Sequence, residues 1–209
     1  DDDEELIYSG IYYEDEDDED EDEDEEEEFI QEIYKKNYSS FVLEATDFIF
    51  HRITYLNFMG SQITNKILTF ICLWCKNLSE LDLSHCTGIT DVYGIGQCRM
   101  LTSLILYDCT GVTDVSGLGQ CKKLTKIDLS NCRGVSDVSE LDQCKKLTKL
   151  FLAYTCLTDV SCLGQCRMLT SLILHGCTGL TDVSCLGQCK MLDYLNLDGC
   201  TGVTDVSDL

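Results

Sequence analysis

Leu101–Lys123 reads LTSLILYDCTGVTDVSGLGQCKK, and the next 23 residues, Leu124–Lys146, read LTKIDLSNCRGVSDVSELDQCKK. Laid over one another, the two segments agree at eight apolar places. Leu101, Leu104, Leu106, Cys109, Val112, Val115, Leu118 and Cys121 are answered by Leu124, Ile127, Leu129, Cys132, Val135, Val138, Leu141 and Cys144. Working outward, units open at Leu78, Leu101, Leu124, Leu147, Leu169 and Leu192, in steps of 23, 23, 23, 22 and 23 residues. A less regular unit runs from Ile53 through Leu56, Phe58 and Ile63 to Cys75 and precedes Leu78 by a step of 25, so seven units are visible. The unit opening at Leu147 is one residue short. Thr155 stands where the others carry Cys, and Cys156-Leu157 replaces a Thr-Gly-Val type of turn. A segment this short cannot bury its apolar side alone, so a fixed period of this length calls for a stack in which each unit covers the next.

Within each unit the x-L-x-L stretch alternates with period two, which makes a short strand with leucines inward and the intervening side chains outward. The Val, Leu and Cys of the return segment close the other side of the core. Asp91, Asp114, Asp137, Asp159, Asp182 and Asp205 each follow Thr or Ser at the start of the return turn. A carboxylate there accepts from free backbone N–H groups, so capping is their expected role. The thiols of Cys86, Cys109, Cys132, Cys177 and Cys200 fall where the chain leaves the strand, and are expected to form a structural ladder by donating S–H to backbone carbonyls. Gly96, Gly119, Gly164 and Gly187 precede Gln-Cys and point to tight, non-helical return turns. Only Ile63–Trp74 has helical character.

The pattern L-x-x-L-x-L-x-x-C-x-x-[ILV]-T-D-V resembles the leucine-rich repeat and covers about three quarters of the chain. The implied fold is an α/β leucine-rich repeat solenoid: a curved parallel sheet, concave on its open side, with short 3-10 or turn return segments. The Cys of each strand exit and the CKNL of Cys75–Leu78 resemble the cysteine-containing subclass of F-box substrate receptors, which would imply the substrate-recognition part of a ubiquitin ligase. Against this, Phe29–Phe50 lacks the Leu-Pro start of an F-box, and the chain contains no proline. The TDVSGL segments and the 22-residue unit resemble the compact repeats of a type-1 phosphatase regulatory subunit and of internalins. Acidic nuclear leucine-rich phosphoproteins, which chaperone histones and other basic proteins, also combine such repeats with a carboxylate run, although theirs follows the repeats.

The chain has 209 residues and a formal charge of −23. Of its 38 acids, 20 lie in residues 1–28, which hold no Lys or Arg; the other 181 residues carry 18 acids and 15 bases, a net −3. Glu14–Glu28 is an unbroken run of 15 carboxylates, expected to stay extended and disordered because no burial offsets its self-repulsion. The expected organisation is therefore an acidic tail over 1–28, a cap segment over 29–52 and repeats over 53–209. No run of 18 apolar residues is present, so no membrane-crossing helix is expected. The first residue is not Met, which leaves room for a processed start, and the seventh unit stops before its Gly-Gln-Cys segment, which suggests association through that end or a truncated sequence. All 15 cysteines lie between Cys72 and Cys200, at repeat intervals among Leu and Val. They read as reduced, core-forming thiols, which places the chain in the cytosol or nucleus.

Candidate chemistry is sparse, and no enzyme activity, cofactor or metal is expected. Cys72-Leu73-Trp74-Cys75 has the spacing of a redox or zinc pair, but Cys75 occupies the core column. Cys162, Cys166, Cys185 and Cys189 form two CxxxC pairs in adjacent units; Cys162 and Cys185 are expected to be exposed and the other two to point inward, which cannot make a tetrahedron. His175 and Asp198 occupy matching positions of neighbouring units, within reach of one another. Ser130 shares that position but lies beyond the Ala153 strand, so no nucleophile is expected in line.

The outward side chains of the sheet are free of the fold's demands and therefore report on partners. Ile105, Phe151 and Ile173 with Tyr107, Tyr154 and Tyr194 read as an aromatic and aliphatic strip suited to a protein or peptide, joined by His175, Asp128, Lys126 and Lys149. A basic stripe of Lys76, Arg99, Lys122, Lys123, Lys145, Lys146, Arg167 and Lys190 follows the core cysteines. The net charge disfavours nucleic acid as its partner; the acidic tail is the intramolecular alternative, until a basic protein competes for the tail.

Overall fold

The computed structural model describes residues 50–209. The acidic run and residues 29–49 of the expected cap lie outside the described residues.

Seven three-residue strands follow the seven units: β1 (Tyr55–Asn57), β2 (Glu80–Asp82), β3 (Ser103–Ile105), β4 (Lys126–Asp128), β5 (Lys149–Phe151), β6 (Ser171–Ile173) and β7 (Tyr194–Asn196). They pair in sequence order, all parallel, and the register follows the repeat: Leu104 lies beside Ile127 and Leu150 beside Leu172. The backbone ladder continues past each strand, with Leu83 N–H donating to Ile105 and His85 N–H to Tyr107, both at 2.8 Å. The apolar columns expected from the period are the core. Leu78, Leu81, Leu83, Cys86, Ile89, Val92, Ile95 and Cys98 are all 1% exposed or less.

The first return segment carries the helix α1 (Asn65–Trp74), close to the helical stretch expected from sequence. Five later units return through five-residue 3-10 turns such as Ser116–Gln120 and Ser161–Gln165. All six expected capping aspartates do that work. Asp91 accepts from the N–H of Tyr93, Asp114 from Ser116, Asp137 from Ser139, Asp159 from Ser161, Asp182 from Ser184 and Asp205 from Ser207.

Three side-chain ladders tie each unit to the one before it. The first is the expected thiol ladder: Cys86, Cys109, Cys132, Cys177 and Cys200 donate to the carbonyls of Phe58, Leu83, Leu106, Leu152 and Leu174. A second runs through the return turns, where Cys121, Cys144, Cys166 and Cys189 donate to Ile95, Leu118, Leu141 and Leu163. The third stands where the chain enters the sheet: Thr102, Thr125, Thr148 and Thr170 each donate to the carbonyl of the preceding unit's Ser79, Thr102, Thr125 and Thr148. In the short unit Thr155 replaces the thiol and turns its hydroxyl onto the carbonyl of Leu152 in its own unit. Among the described residues no buried side-chain nitrogen or oxygen lacks a partner.

Stacking is tight enough to exclude side chains at some places. A Cβ on Gly111 would sit 2.8 Å from the Ile89 carbonyl oxygen and 2.9 Å from that of Thr87, both fixed backbone atoms. At the strand exits the backbone turns through the left-handed region in every unit, at Gly60, His85, Asp108, Asn131, Tyr154, Gly176 and Gly199, with φ between 59° and 73°.

Burial pushes the thiols of Cys109, Cys121, Cys132 and Cys166 up to about 12, from an ordinary value of 9.0. For Cys72 the hydrogen bond to Cys98, then burial, raises it further. A raised folded value supports the fold fully below the unfolded thiol's value and withdraws that support as pH climbs toward the folded one, at about 1.4 kcal/mol per thiol per pH unit. Under reducing conditions the urea midpoint should therefore hold level from pH 7 to 8 and fall steeply between pH 9 and 11. A level midpoint through pH 11 would show that the thiols are not sequestered as described.

Candidate interaction surface

The face of the sheet away from the core is built of three rows. The first outward row places Lys126 beside Lys149 and Ser171 beside Tyr194. The second runs Ile105, Asp128, Phe151, Ile173. Phe151 and Ile173 are thus direct neighbours, while Asp128 separates them from Ile105. All four are half-buried. Asp128 is held by the backbone, its Oδ1 accepting the N–H of Ser130 at 2.9 Å. The aromatic strip read from the sequence is therefore divided, with Tyr194 on a different row from Tyr107 and several strands away.

The third row, at the strand exits, gathers the tyrosines into two polar clusters. In one, the ring of Tyr107 stands edge-on to His85 at 5.3 Å, its hydroxyl accepts from Asn131 Nδ2 at 3.2 Å, and His85 Nδ1 lies 3.1 Å from Asp108 Oδ2. In the other, Tyr154 Oη lies 2.6 Å from His175 Nε2, and His175 Nδ1 lies 3.2 Å from Asp198 Oδ2. In the tautomer with its proton on Nδ1, His175 donates to the Asp198 carboxylate and Nε2 accepts from the Tyr154 hydroxyl. The line hydroxyl, imidazole, carboxylate is the order of a nucleophile with its base. Here it stands in the open, with the Asp198 side chain 81% exposed.

The arrangement of parallel three-residue strands and 3-10 returns decides the fold family. The fold is that of a leucine-rich repeat solenoid. Residues 70–138 match the family described as Zer-1-like, leucine-rich repeats. No curated protein sequence matches the chain. Among solved structures, internalin C2 from Listeria monocytogenes superposes with a TM-score of 0.55 at 20% identity, over 78% of each chain. An internalin, InlF, of the same organism gives 0.52 at 20% identity over 87% of this chain and 57% of its own. The leucine-rich repeat domain of the type III effector XopL gives 0.54 at 15% identity, over 65% of this chain and 49% of that one. At these identities the likeness is one of fold.

Two expectations need correction. Cys162 and Cys185 are half-buried, not exposed, and donate to the carbonyls of Val138 and Val160. The column they share explains it: a Cβ on Gly117, at the same place two units before Cys162, would meet the Val92 carbonyl at 2.6 Å, so a side chain there points into the preceding unit. Burial lifts Cys162 to about 12 and Cys185 to about 11. The second correction concerns the missing hydroxyl. No hydroxyl stands at the position of His175 in the neighbouring unit, but Tyr154 supplies one from one residue later in its own unit. All 15 thiols are unpaired, Cys156 alone being exposed. Among the described residues no three His, Cys, Asp or Glu side chains are placed to hold a metal, and no helix is long and apolar enough to cross a membrane.

Tyr154 is a bulky residue at φ 59°, and its ring covers Gly176, where a Cβ would come within 2.6 Å of it. Left-handed backbone costs a non-glycine residue about 1–2 kcal/mol, and a single neutral hydrogen bond contributes about 1 kcal/mol. Tyr154→Gly should therefore stay within about 1 kcal/mol of the parent in urea unfolding, the relief of strain offsetting the lost contacts. A loss beyond about 2 kcal/mol would show that the tyrosine is held for stability.

Proposed function

We propose that this leucine-rich repeat protein is a non-enzymatic binding module that takes a protein or peptide on the open face of its sheet. Leucine-rich repeat folds generally mediate protein–protein interaction, and stacked repeats present extended surfaces suited to it. The observation that carries the reading is the pair Phe151 and Ile173 in the middle of the sheet. The core is already complete beneath them in Leu150, Leu152, Leu172 and Leu174, so two large apolar side chains on the open side answer to something other than folding. Ile105 lies beyond Asp128 on the same row, Tyr107, Tyr154 and His175 stand in the polar clusters at the strand exits, Lys126 and Lys149 border the pair where the chain enters the sheet, and Tyr194 lies toward its far edge. Fifteen unpaired thiols support a reducing compartment, cytosol or nucleus.

A second surface has support in the sequence. Glu14–Glu28 has the chemistry to hold a basic protein. One affinity capture from native extract, read by quantitative mass spectrometry, tests both. Phe151→Ala with Ile173→Ala should lower recovery of the principal partner at least tenfold, while removal of residues 1–28 should release only basic proteins. Equal recovery by the parent and the Phe151 and Ile173 variant would overturn the open-face reading.

A further inference from the structure

Charge is sorted across the sheet. The six capping aspartates and Asp108 and Asp198 lie beyond the strand exits, whereas the edge where the chain enters the sheet is basic. The basic side is densest in two adjacent units. Lys122 and Lys123 stand in the turn before β4 and Lys126 opens that strand; Lys145, Lys146 and Lys149 repeat the arrangement one unit later, before and in β5. Lys126 and Lys149 are direct partners across the parallel pair, about 4.8 Å apart in the strand-to-strand direction. Like charges opposed in this way destabilise a sheet.

Nothing in the described structure neutralises them. None of the six has a carboxylate within ion-pair distance, even Asp128 and Asp142, the acids nearest in sequence. Lys122 donates to the amide oxygen of Gln143 and Lys123 lies against the sulfur of Met100. The lysine at the head of β5 also stands two residues before Phe151, on the same face of the sheet.

We propose that this six-lysine patch is the selective half of the binding surface and that its occupant is an acidic polypeptide. Carboxylates of the occupant would lie along the lysines, with an apolar side chain seated on Phe151 and Ile173. This rests on the proposed use of the open face and adds the chemistry of the partner. The extent of the patch favours a peptide over nucleic acid. In the neighbouring units the places of Lys123 and Lys126 are taken by Met100 and Ser103 on one side and Met168 and Ser171 on the other. The dense region is thus two strands wide, about 10 Å, the span of about three extended residues. A phosphodiester backbone would run on past it, over Ser103 and toward Glu80.

Fluorescence anisotropy on the full chain in 50 mM NaCl tests this with three labelled probes. They are a 12-residue peptide of Asp and Glu around two central Phe, its Asn and Gln counterpart, and a 12-nucleotide oligothymidine. The acidic peptide should bind at least tenfold more tightly than either other probe. Lys126→Glu with Lys149→Glu should weaken it at least tenfold, Lys76→Glu, on the same edge outside the patch, should leave it within twofold, and circular dichroism should show all variants folded. The inference is overturned if the acidic peptide fails to bind, binds no better than the neutral one, ignores the charge reversals, or is outdone by the oligonucleotide. If the neutral peptide is held as well and Phe151→Ala releases it, the open-face reading survives this failure. If no peptide responds to Phe151→Ala, both fall.

Discussion

A three-residue strand leaves as many backbone groups unpaired as it pairs, and its two inward side chains bury little by themselves. Both needs can be met only by another copy of the same segment placed one strand spacing away, and every other feature follows from holding that spacing. The hydrogen-bond ladder sets it at the sheet, and the glycine at Gly111, pressed on the Ile89 carbonyl, sets it just past the strand exit. Thiols set it in two further columns, as small donors that fit between backbones where a larger polar group would not. Cysteine serves here as a core residue with a weak proton to donate, which accounts for its abundance without any disulfide or metal.

The apolar columns, the seven strands, the aspartate caps and the thiol ladder at the strand exits were all legible in the sequence, because each recurs with the period and has one physical role; the helix Asn65–Trp74 was legible from its own apolar spacing. Features without a common residue type were not. The left-handed exit is occupied by glycine three times and by His85, Asp108, Asn131 and Tyr154 otherwise, so nothing in the letters marks it as a column. The threonine ladder has no mark in the sequence, since nothing in the residue type of Thr102 or Thr125 singles out a carbonyl of the preceding unit as its partner. Cys162 and Cys185 were misplaced because the alternatives in their column, among them Glu140 and Asp208, suggested solvent. Of the candidate surface, the outward residues were identifiable one by one, but their grouping was not. Register puts Asp128 between Ile105 and Phe151, and side-chain reach brings Tyr154 to His175.

Regularity and departure from it have different meanings in such an array. Positions that repeat without exception hold the stack together. The open face and the edge where the chain enters the sheet vary from unit to unit, and there the apolar pair of β5 and β6 and the lysines of β4 and β5 fall side by side. The shortened unit opening at Leu147 stands at the centre of both. It also supplies the strained Tyr154, so the place where the repeat is least regular is also where its surface is most distinctive.

The central claim is that the 23-residue unit is the element of folding, and removing one unit whole tests it most directly. Deleting Leu124–Lys146 joins Lys123 to Leu147 in register, and thermal unfolding by circular dichroism should remain a single cooperative transition with a modestly lowered midpoint. Deleting only Leu124–Val135, about half as much chain, should abolish that transition. Loss of cooperativity on the whole-unit deletion, or equal tolerance of both, would contradict the account.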